Sequence, residues 1–240
     1  MSRAALADAV RPFAPGGSLR QEHMPAFDAF ADALGLARAS GGQRAEGGSL
    51  TPDARFTGEI TARIALELIG HEAIVQEAYK DSKSIWTWGI GVTNASGHSV
   101  DRYKDAPQPV ARCIEIFLWL CRTKYGPDVL AAFKGHALTE AQYAAALSFH
   151  YNTGAIGRAT WVKSFLAGRR AEAENQFMEW RKPAAIIERR TKERDLFFDG
   201  RWSSDGTTTI WPVRKPAYTP DWGKGRKVDI RADVATALAA

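Results

Sequence analysis

Apolar residues recur at helical spacing along most of the chain. The first such run predicts a helix that ends near Glu72. From Pro109 onward the same spacing predicts a series of helices, and residues 139–142 (TEAQ) have the sequence of a capping box, which begins a helix. Asn152 and Gly154 are expected to end that helix. The apolar positions of the first run are Ile60, Ile64, Leu68 and Ile69.

The helical spacing is interrupted between residues 79 and 100. Large apolar residues there stand between glycine, asparagine and serine, which predicts short strands and turns. Residues 201–213 (RWSSDGTTTIWPV) have β-rich flanks around Asp205 and Gly206, which predicts a second hairpin. The expected fold class is therefore α+β and mostly helical.

Composition divides the chain into four predicted parts. Residues 1–38 form a small helical module with helices over 4–12 and 24–37, and residues 39–56 form a Gly/Ser-rich linker. Residues 57–199 form the main domain, and residues 200–240 form a C-terminal extension. Three tryptophans of the extension have two possible uses, binding a wall polymer or filling grooves on the main domain. They are Trp202, Trp211 and Trp222. Because exposed aromatics are costly, we expect the second use.

Charge and cysteine content narrow the choice of partner only slightly. The formal net charge is +5 and the pI about 9.3, which suits an anionic polymer without selecting one.

Cys113 and Cys121 would lie about 12 Å apart on one helix, too far for a disulfide, so we expect two buried thiols. The scattered histidines and cysteines predict no metal site, and we expect no nucleic-acid partner.

No apolar run reaches the length of a membrane span. The first residues, MSRAALADAV, lack the apolar core of a signal peptide. We therefore expect a protein that is made in the cytoplasm and needs another agent to leave it.

Glu72, Asp81 and Thr87 could supply the chemistry of glycoside cleavage. That reaction needs a proton donor on the leaving oxygen and a carboxylate or a positioned water on the other face of the sugar. A glutamate at a packed helix end can act as the acid, an aspartate on a polar hairpin stays ionised, and a threonine hydroxyl can position water. Residue types alone also fit an ordinary solvated loop.

Three blocks of sequence resemble the phage-type lysozymes of glycoside hydrolase family 24, the endolysins of tailed phages. The first contains Glu72, then YKD at 79–81, then TWGIG at 87–91. The second is LTEAQYAAALSFHYNTGAIG at 138–157, and the third is IIERRTKERDLF at 186–197. The blocks together span about residues 58–198. One departure is Ala73, where many members have glycine after the glutamate, and it requires a backbone outside the left-handed region.

The resemblance implies a two-lobed lysozyme-like fold with a small β-hairpin lobe. It also implies roles for three residues: Glu72 as general acid, with Asp81 and Thr87 acting on the attacking water. Four further residues are candidates for binding or support, although Trp88 also fits the core and the arginines a solvated face. These are Trp88, Asn152, Arg189 and Arg190. We expect one of the two arginines to approach Glu72.

The implied function is that of a lysozyme (EC 3.2.1.17) that cleaves the β-1,4 bond between N-acetylmuramic acid and N-acetylglucosamine in bacterial peptidoglycan, with no cofactor. Its expected setting is phage host lysis, with release from the cytoplasm through a holin-type pore. Residues 1–38 are a candidate contact with the wall or a partner. Two alternatives remain: a non-catalytic wall-binding or virion protein with this fold, and a lytic transglycosylase that uses Glu72 alone.

Overall fold

The computed structural model describes residues 56–239. The helices predicted over 4–12 and 24–37, and nearly all of the predicted linker, lie outside these residues. No helix within residues 56–239 is long and apolar enough to cross a membrane.

Helices make up most of the described chain. Its eight α-helices are α1 (Ala62–Gly70), α2 (Val110–Leu120), α3 (Gly126–Ala132), α4 (Glu140–Thr153), α5 (Thr160–Leu166), α6 (Arg170–Phe177), α7 (Ile187–Asp199) and α8 (Arg231–Ala239). A π-helical turn, Cys121–Tyr125, joins α2 to α3. Short 3-10 helices occupy Asn94–Ser96, Asp101–Tyr103, Ile156–Arg158 and Ala184–Ile186.

The strands form one five-stranded sheet, in the order β3-β2-β1-β4-β7, and one two-stranded sheet, β5-β6. Their bounds are β1 (Ala73–Lys80), β2 (Trp86–Gly89), β3 (Val92–Thr93), β4 (Thr207–Ile210), β5 (Val213–Arg214), β6 (Thr219–Pro220) and β7 (Arg226–Asp229). The predicted α+β, mostly helical class is confirmed.

Helix α1 leads directly into the sheet. Thr61 begins it by accepting a hydrogen bond from Ile64 N at 3.2 Å, and its buried face includes Leu68 and Ile69. The helix ends at Gly70, as the apolar spacing predicted. Glu72 is therefore at the junction between α1 and β1, and Ala73, the first residue of β1, is outside the left-handed region.

Helix α4 crosses the centre of the helical lobe and packs on α7. Its predicted capping box is present, with Thr139 and Gln142 each bonded to the other's backbone. The helix ends at Gly154, whose φ of 62° is the left-handed geometry that glycine accepts readily. Asn152 belongs to the last turn of α4 and does not end it, so that part of the prediction is wrong.

The predicted hairpin around Asp205 and Gly206 is wrong. The Asp205 carboxylate accepts a hydrogen bond from Thr207 N at 2.9 Å, and this local turn begins β4 without a preceding partner strand. Strand β4 instead pairs in parallel with β1, through Ala73 with Thr209, and antiparallel with β7. The partner that β4 needs lies far away in sequence, where local turn chemistry cannot indicate it.

The residues after 200 pack onto the same core as the earlier helices. Helix α8 contacts α1 and α2, and Val234 is fully buried. The expectation that the tail folds back is confirmed. The expectation that the tryptophans fill grooves is wrong for Trp222, which is 62% exposed.

Candidate active site

Glu72 is fixed through its backbone as well as its side chain. Its N–H donates to Ile69 O at 3.1 Å, which continues the last turn of α1. Its carbonyl oxygen accepts from the Thr208 hydroxyl at 2.9 Å, a contact supplied by β4. The side chain is 20% exposed, so the carboxyl is partly screened from water yet still accessible.

The Glu72 carboxyl is oriented by Arg189. Arg189 Nη1 donates to Glu72 Oε1 at 2.5 Å, and the arginine side chain is 11% exposed. The prediction that one of the two arginines approaches Glu72 is confirmed. Arg189 also donates to Ser148 O and Oγ, both at 3.2 Å, and to Glu193 Oε1 at 2.9 Å. Its position is therefore set by α4 and α7 together.

Behind Arg189 lies a second, fully buried ion pair between Arg190 and Glu193. Arg190 also donates to Trp180 O at 3.0 Å and to Asn152 Oδ1 at 2.7 Å. Its guanidinium lies 4.7 Å from the centre of the Phe149 ring. Of the two expectations for Arg190, a solvated face and a place near Glu72, the solvated face is wrong, and the residue acts on the site only through its neighbours.

Two carboxylates and two guanidiniums alternate in this network, from Glu72 through Arg189 and Glu193 to Arg190, so its formal charge is zero. Burial lowers the pKa of Arg189, but the Glu72 and Glu193 carboxylates outweigh it and raise that pKa above its usual range. Burial lowers the pKa of Arg190, which Glu193 partly opposes. Such a paired and hydrogen-bonded arrangement is what makes buried charges tolerable.

The turn between β2 and β3 lies against the other oxygen of Glu72. A Cβ on Gly91, whose φ is 71°, would be 3.9 Å from Glu72 Oε2 and 3.6 Å from Tyr151. The Tyr151 hydroxyl donates to Ile90 O at 2.5 Å, which ties this turn to α4. Among residues 56–239 no donor is hydrogen-bonded to Oε2, so this oxygen is available for proton transfer.

Asp81 lies just after β1, where the hairpin turns. Its Oδ1 accepts hydrogen bonds from Lys83 N at 2.8 Å and Ile85 N at 2.9 Å. One carboxylate oxygen thus builds the turn. Within the described chain the other oxygen has no hydrogen-bond donor, which leaves it able to accept from a water.

Strand register places Thr87 on the same face of the hairpin as Asp81. Tyr79 pairs directly with Thr87, so their side chains share a face, and Asp81 is two positions beyond Tyr79. Thr87 is 4% exposed, and its hydroxyl donates to Ile85 O at 3.1 Å. With its proton used in this bond, the hydroxyl can act on a water chiefly as an acceptor.

Tyr79 lies close enough to Glu72 and Asp81 for both carboxylates to change its pKa. Burial raises the pKa of its phenol, and the charges of Glu72 and Asp81 raise it further. The phenol of Tyr79, on β1, is therefore neutral and lies near both carboxylates. Tyr79 was not predicted as a site residue, although the resemblance includes it in YKD.

Trp88 does not face the site. It is fully buried, its Nε1 donates to Gln76 O at 2.9 Å, and its ring stacks on Tyr103 with centroids 4.0 Å apart. Of the two expectations for Trp88, core packing and a substrate contact, the structure shows core packing, beneath the hairpin. Side chains alternate across a strand, so Thr87 and Trp88 necessarily point to opposite faces.

Asn152 lies at the edge of a cavity of ≈550 Å³ between the hairpin turn and the helical lobe. Lys83 contributes to this cavity from the hairpin, and Arg158 and Trp180 contribute from the helical side. Asn152 is thus both exposed to the cavity and bonded to Arg190. Among residues 56–239, no group of three or more His, Cys, Asp or Glu side chains is arranged to hold a metal ion.

His71 points toward Glu67 and not to solvent, contrary to the usual behaviour of a polar residue at a helix end. Its side chain is 6% exposed, and Nε2 lies 3.3 Å from Glu67 Oε1 without hydrogen-bond geometry. Glu67 is buried and also accepts from Ser203 N at 2.9 Å, Ser203 Oγ at 2.6 Å and Ser204 N at 2.9 Å. This carboxylate joins α1 to the segment that precedes β4.

Five supporting residues were not predicted from the sequence. For Glu193 the sequence does contain a signal. It follows Arg189 by four positions and Arg190 by three, the spacing at which opposite charges pair on one helix. The others depend on contacts between distant segments. The set is Glu67, Ser148, Tyr151, Glu193 and Thr208.

A family model for phage lysozyme matches residues 70–193, just over half of the chain, and it includes Glu72, Asp81, Thr87 and Arg189. The chain belongs to the phage lysozyme family. The matched segment runs from the end of α1 into α7, so the strands and helix after residue 200 lie outside it.

One protein relative of this phage lysozyme family member is the endolysin of Bacillus phage B103. It is 34% identical over 95 residues, which cover 37% of this chain and 36% of the endolysin. The chain thus matches only about a third of that relative's length.

Solved structures with similar folds include three proteins. The endolysin from Escherichia coli O157:H7 phage FAHEc1 is 20% identical with a TM-score of 0.49, over 61% of this chain and 97% of its own. The muramidase domain of SpmX from Asticaccaulis excentricus is 23% identical (TM-score 0.46), over 58% and 97%. A mutant of P22 lysozyme is 25% identical (TM-score 0.48), over 58% and 97%.

Proposed function

We propose that this protein is a muramidase, a lysozyme (EC 3.2.1.17) that hydrolyses the β-1,4 bond between N-acetylmuramic acid and N-acetylglucosamine in peptidoglycan. The observation that carries the proposal is Glu72 itself. It is a partly exposed carboxyl at a helix end, with one oxygen fixed by Arg189 and the other open beside Gly91. Family membership adds support, because the matched segment contains the whole constellation.

In this mechanism Glu72 Oε2 donates a proton to the glycosidic oxygen as the bond to the sugar breaks. Arg189 limits rotation of the carboxyl, so that Oε2 and not Oε1 faces the substrate. The free oxygen of Asp81 accepts a hydrogen bond from the attacking water and takes its proton as the new C–O bond forms, and until then its charge stabilises the positive charge that develops on the sugar ring. The Thr87 hydroxyl accepts a second hydrogen bond from that water.

The cavity that contains Asn152 is proposed to hold further sugar units of the strand. It is open to solvent and contains both an amide and an indole, Trp180, which suit acetamido groups and sugar faces. Asn152 is positioned there by Arg190, so the buried ion pair indirectly shapes the substrate surface.

The decisive experiment is a digest of purified peptidoglycan with the wild-type protein and with Glu72→Gln, followed by mass spectrometry of the fragments. The proposal predicts reducing muramic acid ends from the wild type and none from the variant. Ends in 1,6-anhydromuramic acid would instead identify a lytic transglycosylase. Sacculus binding without any fragments from the wild type would identify a non-catalytic wall-binding protein.

We further propose that the enzyme acts in lysis of a bacterial host by a phage and reaches the wall from the cytoplasm through a holin-type pore. The similarity to a phage endolysin supports this setting. Expression in a bacterial host should leave cells intact until the membrane is permeabilised with a pore-forming agent. Lysis before permeabilisation would contradict the need for a pore.

A further inference from the structure

Strands β4 and β7 present an open face beside the candidate active site. Ala73 of β1 pairs with Thr209 of β4, and Thr209 pairs with Lys227 of β7, so the three side chains form a row on one face. The opposite face carries Thr208 and Ile210, which are buried in the core. Residues 203–229 lie beyond the segment that the family model matches.

A cavity of ≈330 Å³ lies on this open face, and Glu72 is one of the residues that line it. Its lining is mostly polar and includes Ser204, Thr207, Thr209 and Lys227. Ser204 Oγ accepts from Gly206 N at 3.1 Å, which leaves its proton to donate elsewhere. The cavity therefore offers hydroxyl donors in a lining that also contains Glu72.

One aromatic residue, Trp211, lines the cavity, and a second, Trp222, packs against it from outside the lining. Trp211 lines this cavity and also a second one of ≈330 Å³ on its other side. Its ring lies so close over Gly225 that a Cβ there would be 2.5 Å from Cζ3, so only glycine leaves room for it. Trp222 packs edge-on against Trp211 with centroids 5.0 Å apart and is 62% exposed.

The charges of the cavity point to a neutral ligand. Lys227 Nζ lies 3.1 Å from Asp205 Oδ2, and Lys192 Nζ lies 2.7 Å from Glu188 Oε1, so both cations that line the cavity are already paired. Hydroxyl donors combined with an exposed indole surface suit a sugar, whose C–H face packs on an aromatic ring while its hydroxyl and amide groups form hydrogen bonds.

We propose that this cavity, with the Trp211–Trp222 pair, is a second glycan-binding site that takes N-acetylated amino-sugar units. The proposal rests on the proposed muramidase function for the identity of the glycan. Thr209 and Ser204 hydrogen-bond to the sugar, and the tryptophan pair packs against its apolar face. Because Glu72 is among the lining residues, a strand bound here lies beside the proposed cleavage site.

The test uses the full chain carrying Glu72→Gln, so that bound glycan is not degraded. Trp222→Ala removes exposed aromatic surface, and Thr209→Tyr fills the cavity with a residue that strands accept. Trp119→Ala is the matched control, because Trp119 is 44% exposed on α2, lines neither cavity and, unlike Trp222, is not packed on Trp211. Binding is measured by co-sedimentation with purified sacculi and by fluorescence titration with chitotetraose, and thermal melts establish that each variant is folded.

We expect Trp222→Ala and Thr209→Tyr each to weaken binding about tenfold, the loss of one well-packed apolar contact, while Trp119→Ala binds like its parent. Parent-like binding by both variants, or no binding by the parent, would overturn the second site. The result is separable from the proposed function. Fragment release is measured with the protein that keeps Glu72. Cleavage can therefore fail while this binding remains, and this binding can fail while cleavage remains.

Discussion

Arg189 Nη1 donates to Glu72 Oε1 at 2.5 Å, across 117 positions of sequence. The same guanidinium bonds to Glu193 and to Ser148, so three separate segments determine where the Glu72 carboxyl points. A planar fork of donors can make these contacts together, whereas a single ammonium cannot. The geometry therefore depends on arginine in particular and not on positive charge alone.

Replacing Arg189 by lysine should lower kcat for peptidoglycan by about a hundredfold, because the carboxyl loses its fixed orientation. Turnover is measured from the turbidity of sacculi, with KM determined separately. A positioning role predicts a fall in kcat with KM nearly unchanged. Arg194→Lys serves as control, since Arg194 bonds to Asp195 on the same helix and away from Glu72. Equal kcat for Arg189→Lys and wild type would contradict the role.

Asp81 builds the hairpin turn and is also proposed to act on the attacking water, and two substitutions distinguish these roles. Asp81→Asn keeps an oxygen that can accept from Lys83 N and Ile85 N, so the turn should persist while the charge is lost. We expect kcat to fall at least about a hundredfold, with thermal stability within roughly 0.5 kcal/mol of wild type. Asp81→Ala should lose activity and also destabilise the hairpin. Full activity of Asp81→Asn would remove Asp81 from the mechanism.

The buried Glu67 carboxylate predicts a pH-dependent contribution to stability. Burial alone would raise its pKa, but the adjacent His71 ring and the hydrogen bonds from Ser203 and Ser204 together lower it from 4.5 to about 2. Because the folded pKa lies below the unfolded one, the stabilisation is complete above about pH 4.5 and is lost as the pH falls toward 2. Its size at pH 7 is at most about 3 kcal/mol.

Urea unfolding of wild type and Glu67→Gln at pH 7 and pH 3 measures this contribution. The stability difference between the two proteins should be large at pH 7 and much smaller at pH 3. Groups far from residue 67 titrate equally in both proteins and cancel in the comparison, so the difference reports Glu67 together with its neighbour His71. A difference that is the same at both pH values would show that ionised Glu67 does not stabilise the fold.

Both cysteines should be unreactive in the folded protein. Cys113 and Cys121 are free and fully buried. Burial raises the pKa of Cys113 to about 12, and burial with the nearby Glu72 charge raises the pKa of Cys121 above its usual range. A disulfide-exchange reagent at pH 8 should label neither thiol in buffer and both in urea, since the thiolate is the reacting form. Rapid labelling in buffer would contradict the packing around α2.

Local signals predicted the elements that carry the site. The apolar spacing of α1 gave its end next to Glu72, and the capping box gave the start of α4. The change of pattern after residue 79 predicted the region of β2 and β3, whereas β1 begins earlier than predicted, at Ala73. The resemblance to phage lysozymes then indicated that an arginine of α7 approaches Glu72, which the structure confirms.

The buried network was not predictable from pattern, because α7 is read from its sequence, IERRTKERDLFFD, as a charged and solvated helix. Only tertiary packing shows that Arg190 and Glu193 are fully buried. The role of β4 was missed for a related reason. Its parallel pairing with β1 joins residues that local turn chemistry cannot connect, and Asp205 indicated a hairpin instead.

The parallel pairing of β4 with β1 also sets an order of events during synthesis. Thr208 reaches Glu72 O, and Ser203 reaches Glu67, each across 136 positions. While a ribosome is still translating the middle of the chain, α1 and the hairpin can form but the edge of β1 has no neighbour. Glu72, the proposed general acid, therefore acquires its full support only after residues 203–229 have emerged, late in the synthesis of the chain.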